Sequence, residues 1–127
     1  MIAHARAAAP RECCGLLIGL GPRIEEARPS RNLDPSPARF LIDPQDHFAA
    51  IRAARASGRQ IVGVYHSHPS SPALPSPSDV SEAAYADYVY LIVSLVSEPP
   101  DIRAFRFQAG SFAEESLVSQ RLDRLDL

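Results

Sequence analysis

Residues 60–79 read QIVGVYHSHPSSPALPSPSD, and this stretch decides the fold. The apolar run Gln60–His66 predicts a buried strand. The segment Ser67–Ser76 contains three prolines and predicts a loop. A helix tolerates proline best at its first position, so we expect a helix over Pro77–Ala86. The stretch therefore predicts a strand, a loop and a helix in succession, with polar side chains gathered where the strand ends.

The segments on either side predict a sheet covered by helices, because strands and helices alternate along the chain. The middle helix has the clearest limits, with Asp43 as N-cap, Pro44 at its first position and Gly58 at its end. The C-terminal stretch from Phe112 fits a strand or a helix. The other predicted features are a helix at Ile2–Ala9 stopped by Pro10, strands at Cys14–Leu20, Arg23–Arg28, Arg39–Ile42, Val89–Val96 and Ile102–Phe107, and an inner face of the middle helix at Phe48, Ile51, Ala54 and Ala56.

The composition limits the class of protein. A chain of 127 residues, 46% of them hydrophobic, can bury one core, so we expect a single domain over residues 1–127. The net charge is −2 and no basic stripe is present, which argues against nucleic acid as a partner. No apolar run has membrane-spanning or signal-peptide character, so we expect a cytoplasmic protein with no membrane partner. Cys13 and Cys14 are adjacent, and we expect small buried thiols rather than a disulfide.

His66, His68 and Asp79 have the spacing of metal ligands. The two histidines are two residues apart at the end of a strand, so both imidazoles lie on the same face. Zinc takes converging imidazoles as ligands, and Asp79, in the first turn of the next helix, can supply an oxygen as the third ligand. Three protein ligands leave one tetrahedral position for water, as in catalytic zinc sites, so we predict one zinc ion per chain. His4 and His47 lie outside this group and are predicted to be surface residues.

The segment 76–79, Ser-Pro-Ser-Asp, has a second interpretation as a helix start. Ser76 suits the N-cap, proline the first position and Asp79 the third. Taken alone, the segment is more typical of a cap than of a ligand, because caps are far commoner. The two interpretations are compatible, since a helix start would aim Asp79 in a fixed direction.

The segment 66–79, with His-x-His-Pro followed by Ser-x-x-Asp, resembles the JAMM motif of the MPN-plus (Mov34-type) metalloproteases. If each of the fixed His, His, Ser and Asp positions is matched at roughly one in twenty, they coincide about once in 10⁵ placements. Pro10–Leu17 resembles the family segment that carries a catalytic glutamate, and Asn32 and Arg39–Pro44 resemble the region before the family's middle helix. The resemblance covers roughly residues 2–115, in the order and spacing of the short, free-standing prokaryotic members.

This resemblance implies an α/β (α+β) fold with a curved, mixed β-sheet flanked by helices on both sides, layered as in cytidine deaminase. It implies that Glu12 takes a proton from the attacking water and passes it to the leaving amine. It also implies that Ser76 hydrogen-bonds the oxyanion of the tetrahedral intermediate. Without the resemblance, Glu12 would be interpreted as a solvated surface acid after a proline.

The implied function is that of a zinc-dependent peptidase or isopeptidase. The implied substrate is a ubiquitin-like or sulfur-carrier protein, cut after its C-terminal Gly-Gly. Three alternatives stay open. One is a deubiquitinase-like isopeptidase acting on lysine conjugates, and another is a non-catalytic MPN scaffold, although such scaffolds lack ligands that this chain has. The third is a DNA-repair-associated branch with a related His-x-His-Pro motif, whose N-terminal helical module is not found here. The sequence indicates neither the oligomeric state nor the pathway.

Overall fold

Six strands form one mixed sheet in the computed structural model, which describes residues 1–83 and 87–117. The strands are β1 (Cys14–Leu20), β2 (Arg23–Ser30), β3 (Gln60–His68), β4 (Val89–Ser94), β5 (Asp101–Gln108) and β6 (Ser111–Glu115). The helices are α1 (Ile2–Ala8), α2 (Pro44–Ala56) and α3 (Pro77–Glu82). The strand order is β2-β1-β3-β4-β5-β6, and neighbouring strands are antiparallel except for the parallel pair β3–β4.

The sheet buries apolar side chains on both faces, because successive residues of its central strands point to opposite sides. On one face, Ala5 of α1 packs with Leu17 and Tyr65. On the other, Ala50 and Ala54 of α2 pack over the sheet. The sheet residues beneath α2 include Leu16, Ile18, Val64, Tyr90, Ile92 and Phe105. The predicted mixed sheet with helices on both sides is confirmed.

Helix α2 has the predicted caps but a different inner face. The Asp43 carboxylate accepts a hydrogen bond from the Gln45 backbone N–H at 2.8 Å, and Gly58 follows the helix with a φ of +73°. Phe48, however, is 68% exposed, and the buried positions are Ala50 and Ala54. The predicted inner face is therefore wrong at Phe48 and at Ala56, because the side of the helix that faces the sheet is the one that carries Ala50 and Ala54. The half-buried residues beside this stripe are His47, Ile51 and Ala53.

Several predicted boundaries differ from the observed ones. The predicted strand Arg39–Ile42 is wrong, since only an isolated bridge joins Asn32 to Ile42. Strand β3 continues to His68, and β4 ends at Ser94. Helix α3 ends earlier than predicted, with Ala83 already extended, while residues 84–86 lie outside the described part. The ambiguous C-terminal stretch is a strand over 111–115, and residues 118–127 also lie outside the described part.

Helix α1 is tied to the sheet by a histidine. The His4 Nδ1 atom lies 2.9 Å from the Tyr65 hydroxyl, and burial lowers the pKa of His4. The predicted surface position of His4 is therefore wrong, because the helix packs across the sheet face. Cys13 and Cys14 are buried free thiols as expected, and burial raises the pKa of Cys14 to about 12. None of the helices in the described residues is long and apolar enough to cross a membrane.

Candidate metal centre

The end of β3 and the start of α3 bring three ligand-type atoms together. The His66 Nε2 and His68 Nε2 atoms are 3.1 Å apart, and each lies 3.1 Å from Asp79 Oδ2. The three side chains are 2%, 3% and 7% exposed, respectively. Alternation along the strand puts the two rings on the same face, and the loop after His68 returns Asp79 to meet them. The three atoms form a nearly equilateral, water-shielded triangle.

The position of the ring hydrogen on His68 indicates what kind of group the triangle can bind. Its Nδ1 atom lies 2.8 Å from the Pro72 carbonyl oxygen, which can only accept, so Nδ1 carries the hydrogen. In the neutral ring, Nε2 then carries no hydrogen, and its lone pair points toward the Asp79 carboxylate. Ligand atoms at about 2.0–2.2 Å from a tetrahedral zinc lie about 3.3–3.5 Å apart. The observed donors and spacing therefore fit zinc with shifts of a few tenths of an ångström.

The electrostatics of the two rings differ although both face the same carboxylate oxygen. Burial lowers the pKa of His66 and outweighs its hydrogen bond to Asp79. For His68, burial also lowers the pKa, but the protonated ring can donate to both Asp79 and the Pro72 carbonyl, and these hydrogen bonds, with the charges of Asp79 and Glu12, raise the pKa overall. Burial alone would raise the pKa of Asp79, yet the two imidazoles hold it far below its usual range. The carboxylate is thus ionised and available as a ligand.

Asp79 is fixed by the helix cap that the sequence predicts. The Ser76 hydroxyl accepts from the Asp79 backbone N–H at 3.0 Å, and Asp79 Oδ2 accepts from the Ser76 N–H at 2.9 Å. Both interpretations of the segment 76–79 therefore hold in geometric terms, because the capping oxygen is also the oxygen that faces the imidazoles. The Ser76 hydroxyl accepts in this cap, so its own proton can point elsewhere.

The loop between His68 and α3 is fixed by buried contacts. The Ser94 hydroxyl donates to the Ser71 carbonyl at 2.6 Å, and Ala73 is 2% exposed within the core under α2. These contacts hold the neighbouring Pro72 carbonyl where it accepts from His68. The orientation of the second imidazole is therefore set by a loop that is anchored to β4.

Glu12 lies beside this triangle rather than in it. The residue precedes β1, whose Cys14 pairs with His66 in antiparallel register, so Glu12 lies across from His68 on the same face. It is 6% exposed, and its negative charge contributes to the raised pKa of His68. The interpretation of Glu12 as a solvated surface acid is wrong. The carboxylate is a buried charge within electrostatic reach of the triangle.

The first imidazole is oriented by an aromatic ring. Phe40 stacks on His66 with ring centroids 4.4 Å apart and an angle of 18° between the planes. Among the described residues, His66 Nδ1 has no hydrogen-bond partner, so no polar group orients that edge of the ring. Metal-bound histidines usually have such a polar partner. At His66, the stacked Phe40 ring restricts the plane of the imidazole instead.

The structure brings His66, His68 and Asp79 into contact, places Ser76 at the cap beside them, and puts Glu12 on the same face. Sequence reasoning missed the parts played by Phe40 and the Pro72 carbonyl. It also missed the hydrogen bonds by which Asn32 and Ser67 hold the backbone next to Glu12. Asn32 and Phe40 lie at positions that match the family, and no local pattern in the sequence indicates which atoms they contact.

The chain is similar to known protein families along most of its length. A family model described as prokaryotic homologs of the JAB domain matches residues 1–108. A desampylase of Haloferax volcanii is 36% identical over 93% of this chain and 88% of its own length. The CysO-cysteine peptidase of Mycobacterium tuberculosis is 34% identical over 91% of this chain and 81% of its own length. A probable TtuB-protein conjugate cleaving protease of Thermus thermophilus is 40% identical over 65% of this chain, which matches only 56% of that relative.

Solved structures give the same fold. The solution structure of protein DSY2949 from Desulfitobacterium hafniense has a TM-score of 0.84 and 38% identity, covering 93% of this chain and 84% of that one. A JAB1/MPN domain protein from Archaeoglobus fulgidus has a TM-score of 0.58 at 21% identity, covering 91% of this chain and 86% of that one. The second likeness is one of fold alone.

Proposed function

The chain belongs to the prokaryotic JAB-domain family of hydrolytic enzymes, as its sequence predicted, and on that premise we propose that it is a zinc-dependent peptidase acting on a small carrier protein. The bond cut is the one after the C-terminal Gly-Gly of a ubiquitin-like or sulfur-carrier protein. The observation that carries the proposal is the buried triangle of two imidazole nitrogens and one carboxylate oxygen, 3.1 Å on each edge.

His66, His68 and Asp79 would hold the zinc. Two neutral imidazoles and one carboxylate give a site of net charge −1, which a divalent cation converts to +1. Zinc would supply a Lewis acid that polarises the scissile carbonyl and lowers the pKa of water at the site to about 7. The buried surroundings strengthen these electrostatic effects, because bulk water is excluded.

Glu12 would act as the general base and acid. Its carboxylate accepts a proton from the attacking water and returns it to the leaving nitrogen. A base of this kind works without being a ligand, which fits its position beside the triangle. Burial of the residue, at 6% exposure, removes competing water from the carboxylate.

Ser76 would donate a hydrogen bond to the oxyanion. Its oxygen already accepts from the Asp79 N–H, which fixes the position of that oxygen and leaves the hydroxyl proton free to donate. A donor that is fixed before the reaction needs no reorganisation as charge develops, and this is the source of its effect. The cap of α3 therefore prepares the oxyanion donor as well as the carboxylate ligand.

The names of the relatives support the class of substrate. They describe a desampylase, a CysO-cysteine peptidase and a protease of TtuB-protein conjugates. A Gly-Gly tail suits a confined cleft, because glycine lets backbone approach closely without a side-chain clash. An extended tail can also be bound through its backbone as an added strand. We therefore expect selection on the glycine side of the cut bond and tolerance on the departing side.

The test uses three forms of one β-grasp sulfur-carrier protein. The first ends in Gly-Gly followed by a single cysteine, the second in Gly-Gly followed by an unrelated peptide, and the third has a bulky residue in place of the last glycine. Intact-mass measurement over time should show the first two trimmed after Gly-Gly and the third cut far more slowly. An isopeptide-linked conjugate of the same carrier, run in parallel, tests the deubiquitinase-like alternative. Equal cleavage of the bulky form would refute the Gly-Gly specificity.

A further inference from the structure

The peptide group between Glu12 and Cys13 is held by two side chains. The Glu12 carbonyl oxygen accepts from Asn32 Nδ2 at 3.0 Å, and the Cys13 N–H donates to Ser67 Oγ at 2.8 Å. Both backbone atoms belong to one planar unit. A peptide held by its oxygen and its N–H has little freedom to rotate, so the position of the Glu12 Cα atom, from which the carboxylate side chain extends, is held with it.

The Ser67 hydroxyl accepts a hydrogen bond that a backbone carbonyl would accept in a regular antiparallel ladder. The Ser67 backbone N–H donates to the Cys13 carbonyl at 3.1 Å, which is one half of an antiparallel hydrogen-bonded pair. In a regular ladder, the Cys13 N–H would return the bond to the Ser67 carbonyl. It goes to the Ser67 hydroxyl instead, and that side chain is fully buried. The segment carrying Glu12 is thus attached to β3 through the side chain of the residue that separates the two histidines in the sequence.

Asn32 joins the Glu12 segment to the loop that covers His66. Its amide makes four hydrogen bonds, in which Nδ2 donates to the carbonyls of Glu12 and Arg39 and Oδ1 accepts from the N–H groups of Asp34 and Leu41. The last of these bonds fixes the loop next to Phe40, the ring that stacks on His66. One side chain therefore sets the position of both the glutamate backbone and the aromatic ring on the first imidazole.

We propose that Ser67 and Asn32 are positioning residues that hold the Glu12 carboxylate where it can accept the proton of the attacking water. The inference rests on the proposed role of Glu12 as the base. Neither residue touches the reacting atoms; both act through the Glu12–Cys13 peptide. A misplacement of about 1 Å in a catalytic group can cost about 10²-fold in rate. Loss of either side-chain hydrogen bond to this peptide should therefore lower kcat and leave metal binding intact.

The experiment compares Ser67→Ala in two backgrounds, the wild-type chain and Glu12→Gln. The probe is a sulfur-carrier protein ending in Gly-Gly-Cys, and cleavage is followed by intact mass over a range of substrate concentrations in the steady state. Zinc content and thermal unfolding are measured for every variant. Ser30→Ala is the matched control, because the Ser30 hydroxyl is also buried and also accepts a backbone N–H, that of Asp43. It does not touch the Glu12 peptide.

In the wild-type background, Ser67→Ala should lower kcat by about 10- to 100-fold, with KM and zinc content unchanged within about twofold. In the Glu12→Gln background, it should have no further effect, because two residues acting through one group are not additive. Ser67→Thr, which keeps the hydroxyl, should restore most of the rate. Ser30→Ala should retain kcat within about twofold.

Equal losses from Ser67→Ala in both backgrounds, or a loss no greater than that of Ser30→Ala, would overturn the positioning role and leave the proposed function standing. Full activity in Glu12→Gln would instead overturn the base assignment, and the positioning role with it. Asn32→Asp provides a second arm should Ser67→Ala fail to fold. It keeps the oxygen that accepts from Asp34 and Leu41 but loses the donor to the carbonyls of Glu12 and Arg39, and the same non-additive pattern is expected.

Discussion

Substitution of Ser76 separates helix capping from catalysis. The Ser76 hydroxyl accepts the Asp79 N–H at 3.0 Å, so Ser76→Ala removes one of the two hydrogen bonds in the cap of α3. Loss of a serine N-cap costs about 1 kcal/mol when alanine replaces it, and only a few tenths when glycine does. For a chain of 127 residues, 1 kcal/mol corresponds to a fall in Tm of about 3–6 °C. Loss of an oxyanion donor lowers kcat by about 10²–10³-fold.

The loss of the cap and the loss of the oxyanion donor therefore predict different rank orders of the variants, the first in Tm and the second in kcat. Ser76→Gly should keep nearly the wild-type Tm and still lose about 10²–10³-fold in kcat, whereas Ser76→Thr keeps a hydroxyl and should retain most of both. The control is Asp43→Ala, which removes the side-chain cap of α2 at a second helix start where proline follows the N-cap residue. It should lower Tm at least as much as Ser76→Ala and leave kcat within about twofold when assayed well below the unfolding transition.

The assay measures kcat on the Gly-Gly-Cys carrier, zinc content and thermal unfolding for each variant. A kcat for Ser76→Gly within a few-fold of wild type would show that the serine is a cap and nothing more. A kcat that falls in proportion to Tm across all variants, Asp43→Ala included, would lead to the same conclusion.

Three further predictions follow from the same contacts. The wild-type chain should bind about one zinc, and replacing both His66 and His68 with alanine should abolish stoichiometric zinc by elemental analysis. Gly63→Ala should lower the free energy of unfolding by about 1–3 kcal/mol in a denaturant titration, because its Cβ would lie 2.2 Å from the Val89 carbonyl oxygen. The folded-state pKa of His4 is lowered, so the unfolded state binds the proton more tightly and stability should fall as pH drops below about 6.5; His4→Gln should weaken that fall in denaturant titrations at several pH values.

Each of these three predictions is paired with a control variant or with a result that would contradict it. His47→Ala should keep zinc, since this residue lies on α2 and is not part of the triangle. Gly110→Ala tests the cost of backbone conformation alone, because Gly110 has a φ of +82° and a Cβ added there would meet no other atom within 4 Å. It should lower the free energy of unfolding by only about 1–2 kcal/mol. Full zinc in the double histidine variant would refute the ligand assignment. An unchanged pH profile in His4→Gln would show that other groups cause the acid sensitivity.

Much of the fold could be predicted because its signals are local. The Asp43-Pro44 and Ser76-Pro77 starts, the glycine after α2 and the apolar run of β1 each depend on neighbouring residues alone, and each lies where predicted. The inner face of α2 could not be predicted in this way. The helix is rich in alanine, so hydrophobicity does not distinguish the side that approaches the sheet, and Phe48 lies on the exposed side.

The arrangement around the candidate site is only partly local. The convergence of His66 and His68 follows from alternation along one strand, and the direction of Asp79 follows from the cap. The contacts of Asn32 and Ser67 with the Glu12–Cys13 peptide could not be predicted, because they join parts of the chain 20 and 54 residues apart. A hydrogen bond from a side chain to distant backbone leaves no periodic trace in the sequence.

This difference bears on how the activity can be lost. The three ligand atoms of the triangle come from the end of one strand and from one helix cap, all within residues 66–79. Glu12 comes from the segment between α1 and β1, and side chains rather than a regular ladder fix its peptide there. Substitutions at Ser67 or Asn32 should therefore uncouple the base from the metal centre without emptying it. Such variants would resemble a non-catalytic scaffold while keeping every ligand, and ligand residues alone are thus an incomplete criterion for activity in this fold.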